Sequence, residues 1–195
     1  MFVSHHREKL INATIFFVAK TRHCHTLKLN KLMNFLDFEH YRQTGRSVTG
    51  FEYNALAMGP ASFKLLDELK TPTTDFAAAI TTLDVRGEFS ERIMRRDLKA
   101  KAEFDKSWFT KREIDIMERL AEYFAEADGG TMSAFSHDRK LPWFKVYRNG
   151  AGENQPIPYE LALDAPIIAD MPSLPRDEIL ARQEEFAAID RAMVP

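Results

Sequence analysis

The chain has 195 residues, 45% hydrophobic and 29% charged, with 15 Phe against 8 Gly; this is enough to bury one full core and lies far from disordered or fibrous compositions. A formal net charge of −2 supplies no field to draw in a nucleic-acid backbone, and the single cysteine, Cys24, excludes an internal disulfide framework or a multi-cysteine metal cluster within one chain. The polar start from Ser4 to Lys9 and the interruption of the next apolar run by Asn12 and Thr14 lack a signal-peptide pattern, and no stretch is apolar enough to span a bilayer, so a cytoplasmic protein without a membrane partner is expected.

From Ser4 to Thr21, Leu10, Ala13, Phe17 and Val18 recur at helical spacing while Ile11, Ile15 and Phe16 fill the rest of the circumference, which predicts a deeply buried helix. Thr26 is placed to cap a second helix through Leu29, Leu32, Met33 and Leu36, ending near Gln43 before Gly45. The turn-rich stretch Thr44 to Gly50 leads into a short strand at Phe51 to Leu56. Gly59-Pro60 reads as a stop, followed by a helix over Ala61 to Lys70 and a shorter one over Thr74 to Thr82. Leu83 to Leu98 suits a hairpin turning at Gly87.

Thr110-Lys111-Arg112-Glu113 is a capping box that opens a helix running to about Ala127, with Ile114, Met117, Leu120, Ala121 and Phe124 facing the core. Asp128-Gly129-Gly130 is read as its left-handed terminator, and Thr131 as the cap of a short helix through Ser136. Gly150 to Pro175 is loop-like, with a short strand or turn at Ile157 to Tyr159. Pro175 is placed as the first residue of a terminal helix striped by Ile179, Phe186, Ile189 and Met193. The fold expected is mainly α, with a small antiparallel sheet or hairpin and a C-terminal helical tail.

Catalytic groupings fail on geometry. In a helix, His23, Cys24 and His25 would point about 100° apart, and a cysteine at a helix C-terminus is disfavoured as a thiolate. Their spacing also lacks the ligand pairs of a zinc site, so neither metal nor other cofactor is expected. Ser136-His137-Asp138 carries the names of a triad, but consecutive residues do not converge. His137 with Pro142-Trp143 instead suits a corner where imidazole and indole pack while hydrogen-bonding other groups. Asp37, between Phe35 and Phe38, is either an exposed carboxylate or a buried anchor for backbone amides or Tyr53. The basic run Arg92, Arg95, Arg96, Lys99 and Lys101 suits a solvated hairpin edge, or else an acidic protein partner, with RNA the weaker alternative because no stacking aromatics accompany it.

Three segments are more particular: Leu29-Asn30-Lys31-Leu32-Met33-Asn34-Phe35-Leu36-Asp37-Phe38-Glu39-His40-Tyr41, then Thr44-Gly45-Arg46-Ser47-Val48-Thr49-Gly50, then Tyr53-Asn54-Ala55 with Met58-Gly59-Pro60. Their order resembles the Panacea, or SocA-like, antitoxin domain, whose members carry a Lys-Leu-x-Lys-Leu-x-Tyr-x-x-Asp helix, a Gly-x-x-Ile-Thr-Gly turn, a Tyr-x-Ala strand and a Gly-Pro corner. The capped helix from Thr110, Ser136-His137, Pro142-Trp143 and Ile157-Pro158-Tyr159 continue the similarity, over roughly residues 8 to 165. Phe35 stands where the family usually has Tyr, Ala57-Met58 replaces the commoner aromatic before Gly-Pro, and Ser62 lacks a following proline. The family motif maps onto Lys31, Leu32, Asp37, Tyr41, Gly45, Thr49, Gly59, Pro60, His137 and Pro142 as structural residues.

The resemblance implies an antitoxin domain over 4–165 that neutralises a toxin encoded by an adjacent gene in bacteria or their phages, with 166–195 as an appended linker and helix. Some relatives act as adaptors that deliver the toxin to a protease. Autoregulation through a DNA-binding module ahead of residue 4 is not expected. Interface hot spots favour aromatic and Arg residues, which makes Phe51, Tyr53, Arg95 and Trp143 the candidate partner contacts, Tyr53 and Trp143 being equally suited to internal support. The competing classes are a small hydrolase or transferase using Asp37, His40 or His137, and a nucleic-acid-binding regulator using the 92–101 run.

Overall fold

The computed structural model describes residues 5–86 and 93–193. Gly87, read as the hairpin turn, and Arg92 of the basic run lie outside the described residues, as does the side chain of Met193. The protein is mainly helical with two small antiparallel ribbons. Helix α1 (His6–Lys20) buries Asn12 to Phe17 without interruption, as its all-round apolarity requires. Helix α2 (Thr26–Thr44) is the central element, with every residue from Lys28 to Gln43 buried. Gly45 closes it at φ 79°, donating its N–H to the Tyr41 carbonyl at 2.7 Å, a left-handed cap that any Cβ would strain.

Strands β1 (Asn54–Leu56) and β2 (Gly59–Ala61) form a ribbon around Ala57-Met58, with Leu56 opposite Gly59. Helices α3 (Phe63–Lys70) and α4 (Thr74–Ala79) lead to β3 (Ile80–Arg86), which pairs with β4 (Ile93–Ala100) in a hairpin bulged between Val85 and Arg86. The hairpin is tied to the α1–α2 connection by Leu98 N–H on the Cys24 carbonyl at 3.1 Å. Helix α5 (Lys111–Tyr123) starts at the expected capping box, and α6 (Gly129–Ser136), α7 (Pro142–Tyr147) and α8 (Arg176–Met193) follow. Pro142 occupies the first turn of α7, where its missing N–H has no intrahelical partner to lose. Among the described residues, no helix is long and apolar enough to cross a membrane.

Several local expectations are corrected. Thr26 is the first residue of α2 rather than its cap; His25 holds that position, and the Thr26 hydroxyl reaches the Arg96 carbonyl at 3.4 Å. Ala61 belongs to β2 and Ile80 to Thr82 to β3, because ribbon pairing satisfies backbone groups that a longer helix would have used. Helix α5 ends at Tyr123, with Phe124 rather than a left-handed glycine after it. Gly129 and Gly130 open α6 instead, since the Asp128 carboxylate caps it by accepting Thr131 N–H at 2.8 Å. The 157–159 segment contributes Ile157 N–H to the Tyr53 carbonyl at 2.8 Å beside a single bridge at Asn54–Pro156, then enters a 3-10 turn at Tyr159–Asp164. Pro175 lies just before α8, where its carbonyl accepts Ile179 N–H at 3.1 Å.

Candidate functional site

Two buried polar groups on α2 hold the loop and ribbon in place. Asp37, with no exposed surface, accepts Val48 N–H at 2.7 Å, Thr49 N–H at 2.8 Å, the Tyr53 hydroxyl at 2.7 Å and the Thr49 hydroxyl. It is the buried anchor, not the exposed carboxylate. Burial pushes its pKa up to about 6, against the opposing pull of these four donors. Glu39, equally buried, pairs with Arg42 at 2.6 Å and accepts Ile167 N–H at 3.1 Å, while Arg42 donates to the Met171 carbonyl at 2.9 Å. These bonds fasten the 167–171 segment to α2.

The ribbon is held from its other side by Trp143, whose indole N–H donates to the Leu56 carbonyl at 2.9 Å. His137 stacks on that indole with centroids 3.8 Å apart and planes 9° from parallel. The expectation that both rings hydrogen-bond holds for the indole; His137 Nε2 is buried without a partner among the described residues. Lys31 runs beneath the ribbon and donates to the Pro60 carbonyl at 2.9 Å. Gly59, at φ 102°, makes room: a Cβ there would stand 2.7 Å from Lys31 Nζ and 2.6 Å from Ser136 Oγ. This close approach, added to the positive φ, is why the corner needs glycine.

A groove of about 440 Å³ opens between the β1–β2 ribbon, β4 and the first turns of α2. Leu27, Leu56, Ala61 and Leu66 line it, and Met58, Ile93 and Met94 stand at it with 60%, 43% and 68% of their surfaces exposed. Arg95 and Arg96 form the basic rim, each engaged by a neighbouring carboxylate: Arg95 with Asp97 and Arg96 with Asp84, both at 2.6 Å. A larger cleft of about 680 Å³ lies between the C-terminal half of α2 and α5. Its wall mixes charged and polar side chains with Ile116, Met171 and Pro172, and Arg112 is committed there to the Gln43 carbonyl at 3.2 Å.

Of the four candidate contacts, the structure places Arg95 at the groove and buries Phe51, Tyr53 and Trp143 to 7%, 1% and 6% exposure. Tyr53 supports Asp37, Trp143 supports Leu56, and the Phe51 carbonyl accepts the Tyr159 hydroxyl at 2.7 Å. Leu32 is core, and Tyr41 donates its hydroxyl to Gln183 of α8 at 2.7 Å. The apolar residues at the groove mouth were not legible as a site, because 58 and 93–94 are far apart in sequence and meet only in the fold.

The catalytic groupings do not assemble. Residues 21–25 are not helical, Cys24 is buried, and burial pushes its thiol pKa up to about 12, away from the reactive thiolate. Ser136 Oγ donates to the Ser133 carbonyl at 2.9 Å, while Asp138 accepts Lys140 N–H at 2.8 Å, so the two flank His137 without engaging it. Among the described residues, no three His, Cys, Asp or Glu side chains are placed to hold a metal ion.

The molecule is thus a mainly helical domain with an apolar surface groove walled by two ribbons anchored on one buried helix. The chain matches the family model described as antitoxin SocA-like, Panacea domain, over residues 29–144, more than half its length, and it belongs to that family. No curated protein and no solved structure matches it.

Proposed function

We propose that this chain is an antitoxin that neutralises, by direct binding, a toxin encoded by an adjacent gene, and that the groove between the ribbon and β4 receives the toxin. The observation that carries the reading is the cluster of exposed large apolar side chains, Met58, Ile93 and Met94, at the mouth of an apolar groove. Exposed apolar clusters mark interaction sites, and flexible methionines suit a surface that must mould itself to a partner. Family membership supports the antitoxin role, and the scattered catalytic groups support a protein that acts by binding rather than by turnover. Arg95 serves as a rim contact, while Phe51, Tyr53 and Trp143 hold the surface from beneath. Residues 4–165 form the toxin-binding unit and 166–195 an appended clasp, acting in the cytoplasm.

The test is growth of cells carrying the neighbouring open reading frame alone and together with this chain, followed by size-exclusion of the co-expressed pair. Relief of toxicity with a stable complex is expected, and Met58→Asp combined with Met94→Asp is expected to abolish both while leaving the fold intact, because both side chains face solvent. Relief accompanied by disappearance of the toxin would replace sequestration with proteolytic delivery. Absence of any complex or protection would end the reading.

A further inference from the structure

The floor of the groove holds a lysine with no carboxylate against it among the described residues. Two lysines of α2 are buried, and they differ in how their protons are spent. Lys28 Nζ meets three backbone carbonyls, of Arg22 at 2.8 Å, Ala125 at 3.3 Å and Ala127 at 2.7 Å. An ammonium has three protons, so Lys28 is complete and serves as a cap on the chain leaving α5. Lys31, 2% exposed, has one hydrogen bond among the described residues, to Pro60, and no carboxylate against it. Burial is what lowers its pKa, to about 7, with no neighbouring charge countering the effect.

The surroundings favour an anion. Among the described residues, the groove lining contains His25, Lys31, Arg95 and Arg96 and no Asp or Glu. The two arginines are matched by Asp97 and Asp84, which leaves Lys31 without a carboxylate partner among the described residues. Gly59, itself part of the lining, lies against Nζ with no side chain interposed. His137, with its orphaned Nε2, lies close enough for the lysine charge to lower its pKa further, after burial.

We propose that the groove receives a partner segment whose apolar side chains lie against Leu56, Met58 and Met94 and whose single Asp or Glu carboxylate is taken by Lys31 Nζ. The inference rests on the groove being the docking site and adds the chemistry of what docks. A carboxylate there would occupy the spare ammonium protons and restore the charge that burial suppresses, giving a charge-assisted bond shielded from water. It also gives selectivity, since a partner with Gln or Leu at that position would leave the ammonium unmatched.

The test uses the chain alone with hexanoate as probe and hexanamide as its neutral counterpart, both at millimolar concentration. The Lys31 side-chain carbon signal is titrated by NMR, and the Met58 and Met94 methyl signals are followed in parallel. Hexanoate is expected to raise the Lys31 midpoint by about half a pH unit or more, and hexanamide to leave it in place. The titration runs to both sides of the Lys31 midpoint near 7, and His25 on the groove wall and His137 beside Lys31, whose pKa values burial lowers from 6.5, titrate on its acid side, so the rise that hexanoate produces is read on the alkaline side. In Lys31→Met the hexanoate response of the two methyls should fall to that of hexanamide. Equal methyl responses to both probes with a static Lys31 midpoint, or no response to either, would overturn the carboxylate assignment. The docking reading would still be judged separately, by Met58→Asp with Met94→Asp in the co-expressed pair.

Discussion

Asp37 is the residue on which the motif region turns, because it gathers a loop and a strand that lie 11 to 16 positions away. Asp37→Ala strips acceptors from two backbone amides and two hydroxyls at once, and should cost roughly 3 kcal/mol in urea unfolding. Asp37→Asn keeps one acceptor oxygen and should lose about half of that. Because the folded pKa is raised from 3.8 to about 6, its stabilising contribution is fully present below the unfolded value and is lost as pH rises through 6. Wild type should therefore gain on Asp37→Asn between pH 7 and pH 4, and equal curves would contradict this. Lys31 carries the opposite sign: its folded pKa is depressed from 10.5 to about 7, so its contribution is present above the unfolded value and lost as pH falls through 7. Lys31→Met should be more stable than wild type by about 1–4 kcal/mol at pH 6, with the gap closing towards pH 10 in parallel denaturation curves.

At the scale of elements, legibility follows how local each determinant is. The box at Thr110 and Glu113 closes within one turn, with Thr110 N–H donating to Glu113 at 2.7 Å, and its sequence signature sufficed. The same carboxyl group also pairs with Lys9 at 2.6 Å, bracing α5 against α1, and no spacing rule announces a bond over 104 positions. Asp128-Gly129-Gly130 misled because the same glycines suit a helix end or a helix start; the carboxylate decided for the start. Lys31 was visible as a motif residue but not as a buried cation, since lysine on a helix is ordinarily solvated and its cover comes from the ribbon at Gly59. The 167–171 segment looked loop-like, yet it is clamped by Glu39 and Arg42. Arg42→Ala would leave Glu39 buried and unpaired at a cost of about 3–5 kcal/mol. Limited proteolysis should then cut between 165 and 175 well before wild type is cut there; an unchanged cleavage pattern would show that the clamp does not hold the segment.

For the whole molecule, α2 sets the distance between its two working ends. The groove uses Thr26, Leu27, Asn30 and Lys31 at the helix start, whereas α8 docks at the finish through Tyr41, Gly45 and Arg46. At 1.5 Å per residue, Lys31 and Gly45 are about 21 Å apart, too far for a side chain at one end to touch the other. Helix α8 is fastened by a buried Ile179, by Gln183 on the Tyr41 hydroxyl and by the Arg46 guanidinium 3.4 Å over the Phe186 ring. A second tie runs from Arg176 at the start of α8 to Asp164 at 2.7 Å, while the groove is fixed by Asp37, Trp143 and the hairpin, none of which α8 bonds directly. A chain ending at Pro175 should therefore stay folded, with a Tm lowered by several degrees for the loss of about 2–3 kcal/mol of apolar burial and one cation–π contact. Its affinity for the toxin proposed to dock in the groove, measured by titration calorimetry, should stay within about threefold of the full chain. A loss of tenfold or more with the fold intact would mean that α8 is part of the docking surface, and would move the interface from the start of α2 to its far end.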